Sequence, residues 1–196
     1  MAELLDFYLT HDSPHEVVAF AATEPAAGEF RGRPLVPFAT VVDSHSPEEH
    51  AMFVAVGYSR RNGLRARFYG EAKAKGYELI SYVSSRASIW EDSQVGDNCS
   101  VFEGATIAPF ARLGNDVCVW NGAHVGHHDE IADHCFFAPR ATVAGFVTMG
   151  ERAFIGAGAT VRDGVHIAER TLVGAGATVL RDTTPGEVYT AGRAAE

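Results

Sequence analysis

Seventeen hexapeptides run without a break from Val83 to Thr184, and each opens with Val, Ile, Leu, Met or Phe. The openers include Val83, Ile107, Val125, Val143, Val161 and Val179, all in one six-residue register. The fifth place is nearly always small, as at Ala87, Ala105, Cys135 and Ala159. An α-helix of period 3.6 cannot hold a six-residue register, and a flat strand of period 2 has no reason to shrink every sixth residue. Short strands with a corner in every hexad satisfy both facts. Three hexads then make one triangular coil, and stacked coils bury the openers as a column. The repeat predicts a left-handed parallel β-helix. It breaks its own rule once: the fifth place of the hexad 125–130 is Asp129, the only charge at that place. An inward carboxylate is costly unless paired or hydrogen-bonded.

The domain order follows from where the hexads begin and stop. Residues 83–184 form the β-helix, and 185–196 read as a tail. Residues 1–82 carry no hexads and read as a small α/β domain. Leu4 to Leu9 is helical, Val17–Ala21 and Met52–Val56 are strands, and Ala22–Arg33 is a surface loop. Arg60 to Lys75 is a helix with Leu64, Phe68 and Ala72 on one face, stopped by Gly76. A last strand, Leu79–Val83, feeds the first coil. Alternating strands and helices imply a small parallel sheet. A nucleotide-binding domain ordinarily opens on a strand and a Gly-rich turn, whereas this sequence opens inside a helix. Either the domain is smaller than usual or a first strand is lacking, and the residues do not separate the two.

A net charge of −9 and a pI near 5.4 argue against a nucleic-acid or anionic-membrane partner. No apolar run is long enough for a membrane span, which reads as a cytoplasmic protein. Cys99 and Cys135 occupy the small inward place and read as buried filler. An odd count of three cysteines fits a reducing compartment.

Four histidines, His124, His127, His128 and His134, cluster in one short stretch. Each can be an ordinary corner residue, but the column of His127 is distinctive. Steps of one coil from it reach Gly145, Asp163 and Arg181. With coils about 4.8 Å apart, Gly145 sits one coil above His127 with no side chain to block a ligand. Its N–H is a candidate oxyanion donor. Arg181 lies roughly 14 Å up the same edge, apt for phosphates. Asp129 is either the partner that steadies a His127 imidazolium or a structural acceptor for corner N–H groups. Gly57, Tyr58, Arg60 and Asn62 follow a strand and open a helix, a place where a diphosphate can bind.

Gly-His-His in the eighth hexad, the preceding α/β domain and Gly57 after its central strand resemble one family. It is the hexapeptide-repeat nucleotide-sugar acyltransferases of the sialic-acid O-acetyltransferase type, which include the UDP-amino-sugar N-acetyltransferase of bacillosamine synthesis. The resemblance implies acetyl-CoA-dependent N-acetylation of an amino group on a nucleotide-linked deoxy sugar, with sugar O-acetylation as the alternative. It implies His127 as general base, backbone contacts to the pantetheine arm at Ala157 and Ala175, and a homotrimer with interfacial sites. Where the family often has Asp or Glu after the base, this chain has His128. At Phe136 the family often has a further histidine. No covalent enzyme intermediate is expected, because the His127 column holds no Cys or Ser. The γ-class carbonic anhydrases share the β-helix and bind zinc through three histidines at a fixed spacing. Applying that spacing from His124, His127 or His128 reaches no second histidine, so no metal is expected. A non-catalytic scaffold would have no need of Asp129.

Overall fold

A computed structural model describes residues 1–25 and 28–191. From Tyr82 to Tyr189 the chain is a left-handed β-helix. Its two-residue strands lie in three parallel sheets of seven, six and five strands. Each strand inside a sheet pairs with its equivalents in the coils before and after: Val125 lies between Ile107 and Val143, and Val119 between Val101 and Phe137. One coil is therefore three hexads, and a single buried cluster collects the openers and the small fifth places.

The corners are tight turns whose fourth-place residue is left-handed, as at Phe110, His128 and Phe146. That conformation costs a side chain of order 1 kcal/mol. A rung bond offsets it: the His128 N–H donates to the Pro109 carbonyl at 3.2 Å, and the Phe146 N–H to the His127 carbonyl at 2.9 Å. We call the corner after the six-stranded sheet the first (126–129 in one coil). The corner after the five-stranded sheet is the second (132–135), and that after the seven-stranded sheet the third (156–159). In a triangular coil the first corner stands opposite the seven-stranded face.

The described part of the chain before Tyr82 covers that face. Helix α1 (Ala2–His11) lays Leu5 and Leu9 on Tyr82, Phe102, Cys118 and Phe136. Strand β1 (Phe20–Ala22) pairs in parallel with β3 (Arg33–Pro37), which pairs antiparallel with β2 (Glu29–Phe30). A short helix α2 (Val41–Ser44) follows, and then α3 (Gly63–Ala74), which buries Ala72 with Val41, Val54, Tyr77 and Leu79.

Here the sequence expectations need correction. The sheet is mixed, because β2 turns back within the expected loop. Met52–Val56 is not a regular strand. Only Met52 pairs, with Leu79, and the Val54 N–H donates to the Asn98 side chain at 2.7 Å. Helix α3 starts at Gly63 because Arg60, Arg61 and Asn62 are all left-handed. Beyond Pro185-Gly186 the chain adds one more strand, with Val188–Tyr189 pairing to Leu172–Val173; residues 192–196 lie outside the described residues. A cavity of about 400 Å³ lies between α1, β1 and residues 50–56, lined by Leu5, Leu9, Phe20, Phe53 and Ile80 among others. No helix among the described residues is long and apolar enough to cross a membrane.

Candidate active site

The first corner brings His127 and Gly145 together. A Cβ built on Gly145 would stand 2.6 Å from both Cε1 and Nε2 of His127. The imidazole therefore lies over the Gly145 backbone, in space that any other residue there would fill. The Gly145 N–H has no hydrogen-bond partner among the described residues. The same holds for Asp163 and Arg181 above it, so the turn frees these groups, and the histidine ring is what singles out Gly145. Asp163 and Arg181 are exposed on the same corner.

His128 stands in the fourth-place column of this corner. Its ring lies between Phe110 (centroids 4.7 Å) and Phe146 (4.8 Å, stacked). Its Nδ1 is 3.2 Å from Nδ1 of His127, and the two rings are perpendicular. His127 also meets Phe146 edge-on at 4.9 Å. His124 is half-buried on the adjoining strand, where burial and then the charge of His127 lower its pKa.

Asp129 is fully buried, and its carboxylate accepts from the Gly126 N–H at 2.7 Å and the Val147 N–H at 2.9 Å. Its oxygens make no bond to His127. Of the two sequence readings, the geometry matches the structural acceptor, a brace between two successive coils, so Asp129 does not speak against a scaffold as the sequence reading held. Burial pushes the carboxyl up to about 7, against the downward pull of the two N–H bonds.

His134 belongs elsewhere. At the second corner its Nδ1 lies 2.8 Å from Asp116, which also takes Arg65 Nε at 3.0 Å and Asn98 Nδ2 at 2.6 Å. Arg65 comes from α3 and donates further to the carbonyls of Asp116, His134 and Cys135. This buried network joins the N-terminal region to the β-helix, and the hexad reading missed it. The signal was present as a polar fourth-place column with a period of one coil: Asn98, Asp116, His134, Arg152 and Arg170. The column Phe110, His128, Phe146 carries the same kind of signal.

The expected sugar-nucleotide residues lie on the other side of the molecule from His127. Tyr58 is exposed but rests its ring on Phe136 (5.4 Å) and Phe154 (5.3 Å) of the seven-stranded face. Gly57 faces open space. Arg60 is exposed, while its carbonyl receives Arg152 at 3.5 Å. Asn62 is fully buried with its amide 3.5 Å from the Ala153 carbonyl, so the structure does not bring it to a surface a ligand can reach. Ala157 and Ala175 are exposed at the third corner, across the six-stranded face from Gly145 and Arg181. The three cysteines are buried and unpaired, and burial pushes Cys99, Cys118 and Cys135 to about 12, 11 and 12. A thiolate nucleophile has no support there.

The family described as "Bacterial transferase hexapeptide (six repeats)" matches residues 146–181. A UDP-3-O-acylglucosamine N-acyltransferase from Leptospira biflexa is 34% identical over 98 residues, which are 50% of this chain and 26% of the relative. The chain thus spans about a quarter of the curated relatives it matches. The acetyltransferase domain of PglB from Neisseria gonorrhoeae is 25% identical, with a TM-score of 0.79 over 87% of this chain and 82% of that one. That domain has also been solved with acetyl coenzyme A. A perosamine N-acetyltransferase from Caulobacter crescentus, solved with CoA and GDP-perosamine, shares the fold at a TM-score of 0.81 and 24% identity, over 91% of this chain and 95% of that one.

Residues 146–181 thus carry the bacterial transferase hexapeptide repeat, and the chain is similar in sequence and in fold to acyltransferases built on it. Its structural likenesses are to the PglB acetyltransferase domain and, in fold, to the perosamine N-acetyltransferase.

Proposed function

We propose that the protein transfers the acetyl group of acetyl-CoA to an amino group on a nucleotide-linked deoxy sugar. The observation that carries this is the His127 ring seated on Gly145 at an exposed corner, beside backbone N–H groups that have no partner among the described residues. The amine nitrogen attacks the thioester carbonyl and the C–S bond breaks. His127 takes the amine proton and returns it to the departing sulfur. The Gly145 N–H donates to the oxygen that becomes negative in between. The buried thiols leave direct transfer as the simplest course. They also accord with a cytoplasmic setting. Arg181, on the same edge, suits the phosphates of coenzyme A. The N-terminal region, residues 1–82, holds the nucleotide sugar through Gly57, Tyr58 and Arg60.

The working unit in this reading is a homotrimer. His127 and Gly145 are at the first corner, Ala157 and Ala175 are at the third, and Tyr58 and Arg60 lean on the opposite face and second corner. On a single chain these residues lie at different corners and faces. A second copy packed on the six-stranded face would bring its third corner to the first corner of its neighbour, and a closed ring of copies repeats the contact. The test is a mass-spectrometric screen of nucleotide-linked amino sugars with acetyl-CoA, run beside His127→Ala. Product from the wild type and loss of it in the variant support the reading. Undiminished turnover by the variant refutes it.

A further inference from the structure

The first corner stacks three rings where coil geometry requires none. Phe110 and Phe146 are exposed by half or more, yet both are left-handed, as is His128 between them. Bulky side chains seldom adopt that conformation, and exposed aromatics gain little from burial. What the three gain is one another: Phe146 stacks on the His128 ring at 4.8 Å, and Phe110 meets it from the coil below, tilted, at 4.7 Å. A ring held in this way presents its nitrogens in fixed directions, and Nδ1 points to Nδ1 of His127 at 3.2 Å.

We propose that His128, clamped between Phe110 and Phe146, is the positioning residue that fixes the tautomer of His127. The inference rests on His127 being the base. Two imidazole nitrogens 3.2 Å apart need one proton between them, and the donor decides the chemistry. If His127 donates from Nδ1, its Nε2 lone pair is free beside Gly145 and can take the amine proton. If it accepts at Nδ1, its own proton sits on Nε2 and it cannot act as base. His128 therefore serves as acceptor at Nδ1 and carries its proton on Nε2. When His127 gains the substrate proton, its Nδ1–H bond becomes charge-assisted, a gain realised as the transition state forms. The adjacent carboxylate does not take this role, because Asp129 is fully buried and its oxygens meet the Gly126 and Val147 N–H groups rather than His127.

The test reads the proton directly. In the ¹⁵N-histidine-labelled protein, imidazole nitrogen–proton correlations distinguish the two tautomers of a neutral histidine, and the His127 signals are those missing from His127→Ala. The proposal expects the proton on Nδ1 of His127 in the wild type. In His128→Phe the stack remains but the acceptor is gone, so the proton should move to Nε2. The same change should lower kcat on the order of 10- to 100-fold with KM for acetyl-CoA nearly constant. His128→Asn, whose side-chain oxygen accepts a hydrogen bond, should recover part of the rate. Melting temperatures accompany each variant, so a folding defect is seen as such. A wild-type His127 protonated on Nε2, or a His128→Phe protein of full rate and unchanged tautomer, overturns the proposal. Full activity in His127→Ala instead removes the base reading, and the tautomer measurement is independent of that result.

Discussion

Replacing Gly145 by Ala separates position from stability. The new Cβ would stand 2.6 Å from Cε1 and Nε2 of His127. Ordinary contact needs about 3.6 Å, so the ring must retreat by about 1 Å. Two facts keep the cost to the fold small. The atoms it meets are the outer end of an exposed side chain, and the Gly145 backbone is not left-handed. A shift of about 1 Å in a catalytic group is worth a factor on the order of 100 in rate. Gly156→Ala is the matched control. Its Cβ would also meet atoms at 2.6 Å, but these are backbone atoms of the next rung, among them Gly174 and Ala175, which cannot swing aside. That overpacking should cost about 1–3 kcal/mol, and for a chain of this length each kcal/mol lowers Tm by about 2–4 °C. Calorimetry and steady-state kinetics on the two variants give the comparison. We expect Gly145→Ala to melt near wild type with kcat much reduced, and Gly156→Ala to melt lower. A Gly145→Ala enzyme of normal kcat would refute the placement of the His127 ring as the source of its reactivity.

His127→Ala should reduce kcat on the order of 10²- to 10⁴-fold with KM for acetyl-CoA little changed; near-normal activity there, with His128→Ala inactive, would move the base to His128. Arg65→Met should cost about 3–5 kcal/mol in urea denaturation, because it leaves Asp116 buried without its guanidinium, and a loss below about 1 kcal/mol would contradict that account. Asp129 has a folded pKa raised to about 7 by burial, so its contribution to stability is fully present below the unfolded carboxyl value near 4 and is lost as pH rises through about 7. The stability of the wild type relative to Asp129→Asn should fall from pH 4 to pH 7, while the pH limbs of kcat stay in place; a flat difference, or a moved limb, would count against the brace. Light scattering should give three times the 21.0 kDa chain mass, and a fully active monomer would rule out shared sites.

The sequence by itself determined the β-helix. A six-residue register with small fifth places admits no other regular backbone, and the register also fixed which residues share a corner, because three hexads make one rung. That is why His127 and Gly145 were legible together, and why Asp129 stood out as a buried carboxylate. It did not determine what Asp129 bonds to. An inward carboxylate can meet a ring nitrogen or a backbone N–H, and only the closure of the turn decided for Gly126 and Val147. The aromatic clamp on His128 was written in the fourth-place column but needed the left-handed turn to become a stack. The N-terminal region was the least legible. Its pairing depends on which polar groups the β-helix offers: Asn98 takes the Val54 N–H that a strand neighbour would have taken, and Asp116 draws the Arg65 of α3 into the interior. Repeats carry their own partners at a fixed spacing in the chain, so local pattern suffices for them. The helices and strand segments before Tyr82 find theirs at irregular and mostly larger separations, and only the tertiary fold selects among the candidates.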